Sequence, residues 1–166
     1  MGTRKIVTIG DETLRKVCRK QEKFDLRLGI LLKDMADTMY KAEGVGLAAP
    51  QVGILRRVVV IDVTEDHTGL MEMVNPEILE TDGSQTGREG CLSVPERQGV
   101  VTRPMKVKAR YQDRHGKWNE IEAEGLKARA ICHELDHLDG ILYVDKMERE
   151  LTPEEIEGKI PEDEAR

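Results

Sequence analysis

The stretch CHELDH, Cys132 to His137, sets two histidines four residues apart with a glutamate directly after the first. On a helix, residues four apart lie on one face, one turn above each other. His133 and His137 can therefore hold one metal ion jointly, with Glu134 beside them at the same level. Catalytic sites of the zinc type use three protein ligands and keep a fourth position for water. A bound metal brings that water's pKa toward neutrality, and a neighbouring carboxylate can take its proton. The spacing points to metal-assisted hydrolysis. A buried, hydrogen-bonded histidine pair is the plain alternative.

The third ligand decides between readings. No histidine follows His137, so a longer three-histidine pattern is excluded. Glu148, Glu150, Glu154 and Glu155 do follow, in a polar acidic stretch, and one of them would complete a small zinc endopeptidase. Upstream, REGCLSVP places Cys91 in a glycine-preceded, polar-flanked turn, and a thiolate is a strong ligand for zinc and ferrous iron. Cys18 and Cys132 read as packing residues, since Cys132 points about 100° away from His133 on a helix. A structural zinc module needs a fourth ligand, yet His67 and His115 fall in polar turns and no Cys-x-x-Cys pair is present. A second unusual stretch, EGVGLAAPQVG from Glu43 to Gly53, packs small residues where backbone can approach a ligand. Near its end stands Gln51, a neutral hydrogen-bond donor.

The elements that must carry these groups are legible in outline. With 166 residues, 39% of them hydrophobic and 35% charged, the chain fits one domain with a real core. Aromatics make up 3%, so that core rests on Val, Ile, Leu and Met. No apolar run reaches membrane-span length, no signal-peptide h-region opens the chain, and three cysteines are too few for a disulfide scaffold. A cytoplasmic location is the expectation. The net charge of −6 argues against a nucleic-acid reader, and −5 of it falls in residues 147–166.

Asp25 predicts an N-cap for a helix with apolar positions Leu28, Leu31, Leu32, Met35 and Met39, ended by Gly44. Residues 54–63 read as a strand, and residues 71–79 as another, interrupted at Pro76. Residues 105–125 read as a hairpin turning around Arg114 to Lys117. A helix follows Gly125 and stops at Gly140. Thr152 and Pro153 predict a short last helix, cut off by Pro161. The fold class is α+β, a mostly antiparallel sheet packed around a central helix that carries the HExxH motif. Two regions are expected, a catalytic domain over 1–146 and a short, solvated acidic tail over 147–166.

GVGLAAPQ (44–51), EGCLS (89–93) and HELDH (133–137) together resemble, in order and context, the three motifs of peptide deformylases. The similarity extends from about Ile6 to Lys146. It implies a metallohydrolase that removes the formyl group from the N-terminal formyl-methionine of newly made proteins, releasing formate. Cys91, His133 and His137 would hold one divalent ion per chain, with Fe2+ expected and Zn2+ the alternative that ligand affinity favours. Glu134 would be the general acid and base, and Gln51 with the Leu92 N–H would bind the oxyanion. The peptide would pair with the backbones of Val45, Gly46 and Gly90, and its methionine would enter a pocket of Leu126, Ala130 and Val45. Arg97 reads as a solvated surface arginine first, with contact to the substrate's downstream end as the alternative. The resemblance further implies a monomer acting on N-formyl-methionyl nascent chains, with transient ribosome contact. The chain departs from many relatives at Gly10, where they carry proline, and at Cys132, where they carry glutamine. The short acidic tail stands where some relatives have a longer helix, and its charge would repel RNA.

Overall fold

The computed structural model describes residues 2–158. Helix α1, Leu26–Lys41, forms where the 3.6-residue stripe predicts it, and Leu28, Leu31, Leu32, Met35 and Met39 are all buried. The Asp25 carboxylate caps it by accepting from the Leu28 N–H at 3.2 Å. The helix closes differently from expectation. The Glu43 N–H donates to the Tyr40 carbonyl and the Gly44 N–H to the Met39 carbonyl, at 3.0 and 2.9 Å. This is a Schellman closure, and the residue in the left-handed region is Glu43, at φ 60°. Gly44 answers to space instead: a Cβ there would stand 2.7 Å from Leu92 Cδ1.

Among the described residues eight strands follow: β1 Gly46–Ala48, β2 Val58–Ile61, β3 Met71–Asp82, β4 Gln85–Cys91, β5 Val94–Arg103, β6 Lys106–Gln112, β7 Trp118–Glu124 and β8 Arg149–Glu150. An antiparallel five-stranded sheet runs β1-β2-β3-β6-β7, and a smaller antiparallel sheet runs β4-β5-β8. Helix α2, Leu126–Leu138, follows the β6–β7 hairpin at Gly125. In the large sheet, alternate residues face opposite sides. Val58, Val60 and Val74 pack on α1, while Val59, Ile61 and Met73 pack on Ile131, Leu135 and Leu138 of α2. The all-buried run VVVI of β2 is therefore central to both layers.

Two departures have physical causes. β3 continues through Pro76 because its register slips between Val74 and Glu77, and a bulge asks no ladder N–H of proline. Asn75 sits there at φ 50°, its side chain tied to both backbone groups of Gln21 and to Gln112. The strands β4, β5 and β8 were not expected as a sheet, and the described part of the acidic tail is docked rather than solvated. β8 pairs with β5, and Leu151 is buried with its N–H bonded to the Gln98 carbonyl at 2.8 Å. Thr152 caps α3, Pro153–Ile156, as predicted. Glu155 of that helix is buried on a two-bond pairing with Arg149. The expected boundary after residue 146 thus precedes chain that the second sheet uses. The predicted stop at Pro161 lies outside the described residues.

Candidate metal centre

Where the two sheets meet, a cleft of about 480 Å³ opens between the edge strands β1 and β4, floored by α2. Val45, Gly46, Gln51, Gly90, Cys91, Leu92, Leu126, Ala130, His133 and Glu134 all line it. His137 stands behind them, 1% exposed. The helical spacing brings His137 Nε2 to 3.3 Å from His133 Nε2, and Cys91 Sγ, at the end of β4, lies 3.4 Å from His137 Nε2. One ligand atom from each of these three residues falls within a common 4.8 Å. This donor set, two imidazoles and a thiol, suits zinc and ferrous iron. Among the described residues, the tail glutamates join no such group. Glu148 bonds to Thr102, Glu150 to Arg97 and Glu155 to Arg149. His67 stacks on Tyr40, at 4.3 Å between ring centroids.

Burial and charge prepare each group differently. Glu134 is 4% exposed, its Oε1 has no hydrogen-bond partner, and burial raises its pKa to about 7. Burial works against a charged His133, yet Glu134, the Cys91 sulfur and Glu89 outweigh it and lift that pKa to about 10. His137 is held well below its ordinary value by burial and by the neighbouring His133 charge. The two shifts run in opposite directions, so of the pair His133 is the one that favours a proton.

Gln51 is oriented from both ends. Its Oε1 accepts from the Ala48 N–H at 2.9 Å, which turns Nε2 toward Ser93 Oγ at 3.1 Å and Cys91 Sγ at 3.5 Å. A cysteine sulfur is a weak acceptor, so this contact is readily given up to a better one.

Sequence reasoning missed the residues that hold His133. Glu89 Oε1 lies 2.6 Å from His133 Nδ1, leaving Nε2 toward the cleft. Glu89 is in turn gripped by Arg103 at 2.7 and 3.1 Å and by Arg129 at 2.7 Å, all buried. Arg103 also reaches Asp136, on the same helix, at 2.7 Å. Burial alone would raise the Glu89 carboxyl, but the bonds from His133 and Arg103 hold it well below the usual carboxylate range. The available signal was spacing, because Glu89 and Cys91 are two apart on a strand and share a face.

The chain matches the family model described as polypeptide deformylase over residues 3–152. It is 59% identical over 159 residues to a peptide deformylase of Caldicellulosiruptor bescii, covering 96% of this chain and 94% of that protein. Its fold is similar to the crystal structure of a peptide deformylase from Legionella pneumophila, with TM-score 0.85, 48% identity, and 87% and 86% of the two chains covered. The structure from Thermotoga maritima gives TM-score 0.85 at 42% identity, over 89% of this chain and 99% of the other.

Proposed function

This chain belongs to the peptide deformylase family, and from that premise we propose how its residues divide the work. It is a metallohydrolase that removes the N-formyl group from nascent peptides. One observation carries the assignment of roles: ligand atoms of Cys91, His133 and His137 converge within 4.8 Å at the cleft, beside Glu134 with its unpartnered Oε1.

Cys91, His133 and His137 hold the ion, with ferrous iron as the working metal and zinc able to replace it. A divalent ion there supplies Lewis acidity, drawing electron density from the oxygens it binds and acidifying water. The formyl-methionyl peptide adds as an extended strand between the free edges of β1 and β4. The Val45 carbonyl is committed to Asp62 N–H, so by alternation the Gly46 peptide groups face the open edge. The methionine side chain enters the apolar pocket of Val45, Leu126 and Ala130.

Glu134 takes a proton from the attacking water and returns it to the departing nitrogen, which cannot leave as an anion. A carboxyl whose pKa lies near the working pH serves both halves of that transfer. Negative charge developing on the formyl oxygen is met by Gln51 Nε2 and the Leu92 N–H, each such donor worth about 2.7–4 kcal/mol of barrier. Gly90 supplies backbone pairing beside them. The enzyme acts as a monomer in the cytoplasm, with transient ribosome contact. In keeping with this, no helix among the described residues is long and apolar enough to cross a membrane.

The test is anaerobic formate release from an N-formyl-methionyl tripeptide, using protein stripped by chelator and refilled with ferrous iron or zinc. Formate appearing only on metal return, and faster with iron, is expected. Formate absent with either metal overturns the reading; cleavage of a peptide bond instead would favour the endopeptidase.

A further inference from the structure

The outer end of the cleft carries an arginine that is already occupied. Arg97 and Gln98 of β5 line the cleft, and the Arg97 guanidinium makes a two-bond pairing with Glu150, Nε to Oε2 at 2.9 Å and Nη2 to Oε1 at 2.8 Å. Glu150 arrives there because β8 pairs with β5, setting it opposite Gly99. The two side chains are 41% and 40% exposed, so solvent and substrate both reach them. The cleft's other arginines are committed differently: Arg129 grips the buried Glu89, and Arg88 donates to the Glu155 carbonyl. Glu43, Glu96 and Glu134 are further acidic residues in the cleft lining.

A guanidinium left alone at this point would recruit a carboxylate, from an acidic residue or a short peptide's terminus, in the fork geometry that Glu150 now fills. We propose that Glu150 is a specificity-determining residue, an internal carboxylate that occupies Arg97 and stops the enzyme from selecting substrates with acidic residues downstream of the formyl-methionine. The inference rests on the reading that the peptide runs along this cleft. The arrangement suits an enzyme whose substrates share a first residue and differ after it. It also gives the docked tail a direct part in substrate choice, through discrimination more than through binding strength.

The test compares kcat/KM for C-terminally amidated formyl-Met peptides carrying Asp, Asn or Lys at the second, third or fourth residue. It uses the iron-loaded parent, Glu150→Gln, Glu150→Lys and, as a charge control away from the pair, Glu154→Gln. An exposed pair is worth about 0.2–1 kcal/mol, so freeing Arg97 should raise the Asp-to-Asn ratio by up to about 5-fold at one position or more. The gain should appear in KM, exceed that value in Glu150→Lys, and fade at high salt. Glu154→Gln should keep the parent's ratio. Turnover of the Asn peptides reports folding and basal deformylation in each variant. If those peptides are turned over while the ratio in Glu150→Gln and Glu150→Lys equals the parent's, the proposal is overturned. An equal rise in Glu154→Gln overturns it too, by tracing the effect to net charge. Failure of the parent on every peptide sinks the deformylase reading instead.

Discussion

Glu134 leans on the backbone of β1 so closely that position 46 has no room for a side chain. A Cβ on Gly46 would stand 2.9 Å from both Cγ and Cδ of Glu134, with a carboxylate oxygen nearer still. Ordinary contact begins at 3.4 Å, so in Gly46→Ala the glutamate must retreat by at least about 0.5 Å. The buried helix under it cannot move as a body, whereas the side chain, with Oε1 unpartnered, can swing. A displacement of about 1 Å in a catalytic group costs up to roughly 10²-fold, and general acid–base catalysis as a whole contributes roughly 10²–10⁴-fold. Gly46→Ala is therefore expected to lower kcat by about 10- to 100-fold with metal content unchanged, because the three atoms nearest the added Cβ all belong to Glu134 and none to Cys91, His133 or His137. Steady-state formate release, paired with elemental analysis of the same sample, measures both. A fully metallated Gly46→Ala enzyme with kcat within about threefold of the parent would refute the idea that β1 sets the proton carrier's position.

Glu89→Gln leaves Arg103 and Arg129 buried with their main counter-charge gone, so urea unfolding should show a loss of about 3–5 kcal/mol. Because the folded Glu89 pKa is depressed, its contribution is present above the ordinary carboxylate value of 4.5 and fades as pH falls below it. The stability gap between neutral and acidic pH should accordingly narrow in Glu89→Gln, and an unchanged gap would contradict the assignment. Metal affinity should fall on acidification, about tenfold per pH unit for each proton displaced, since His133 in the ion-free protein holds its proton up to about pH 10. Chelator competition between pH 6 and 8 reads this, and a flat profile would contradict it. Leu151→Ala empties a site that is 3% exposed and should cost about 2–5 kcal/mol of stability. A midpoint equal to the parent's would show that the second sheet does not depend on the tail.

What could be read from residues alone was decided by periodicity. Both long helices and the β6–β7 hairpin carry clean 3.6- or 2-residue patterns, and so stand nearly where they were expected. The β4–β5 pair does not. TGREG and PERQG mix glycine with charge, because one face of that hairpin meets the arginine–glutamate cluster and the cleft rather than an apolar layer. β3 misled for the opposite reason, since its proline sits in a bulge that sequence pattern does not reveal. In the site, the histidines and Glu134 followed from spacing, while Cys91 stood out by its surroundings and by resemblance. Arg103 and Arg129 left no local trace, as their purpose is visible only once Glu89 lies between them.

The proposed ligands belong to different layers, Cys91 to the small sheet and the histidines to the helix packed on the large one. An ion joining them closes a loop of roughly forty residues that contains β5, β6 and β7. Like a disulfide across the same span, such closure removes freedom from every state in which the layers part, yet it can be undone by a chelator. The reactive centre is then also a reversible staple. Losing the ion would disarm the enzyme and at the same moment let β4 breathe away from α2, exposing its amides to exchange.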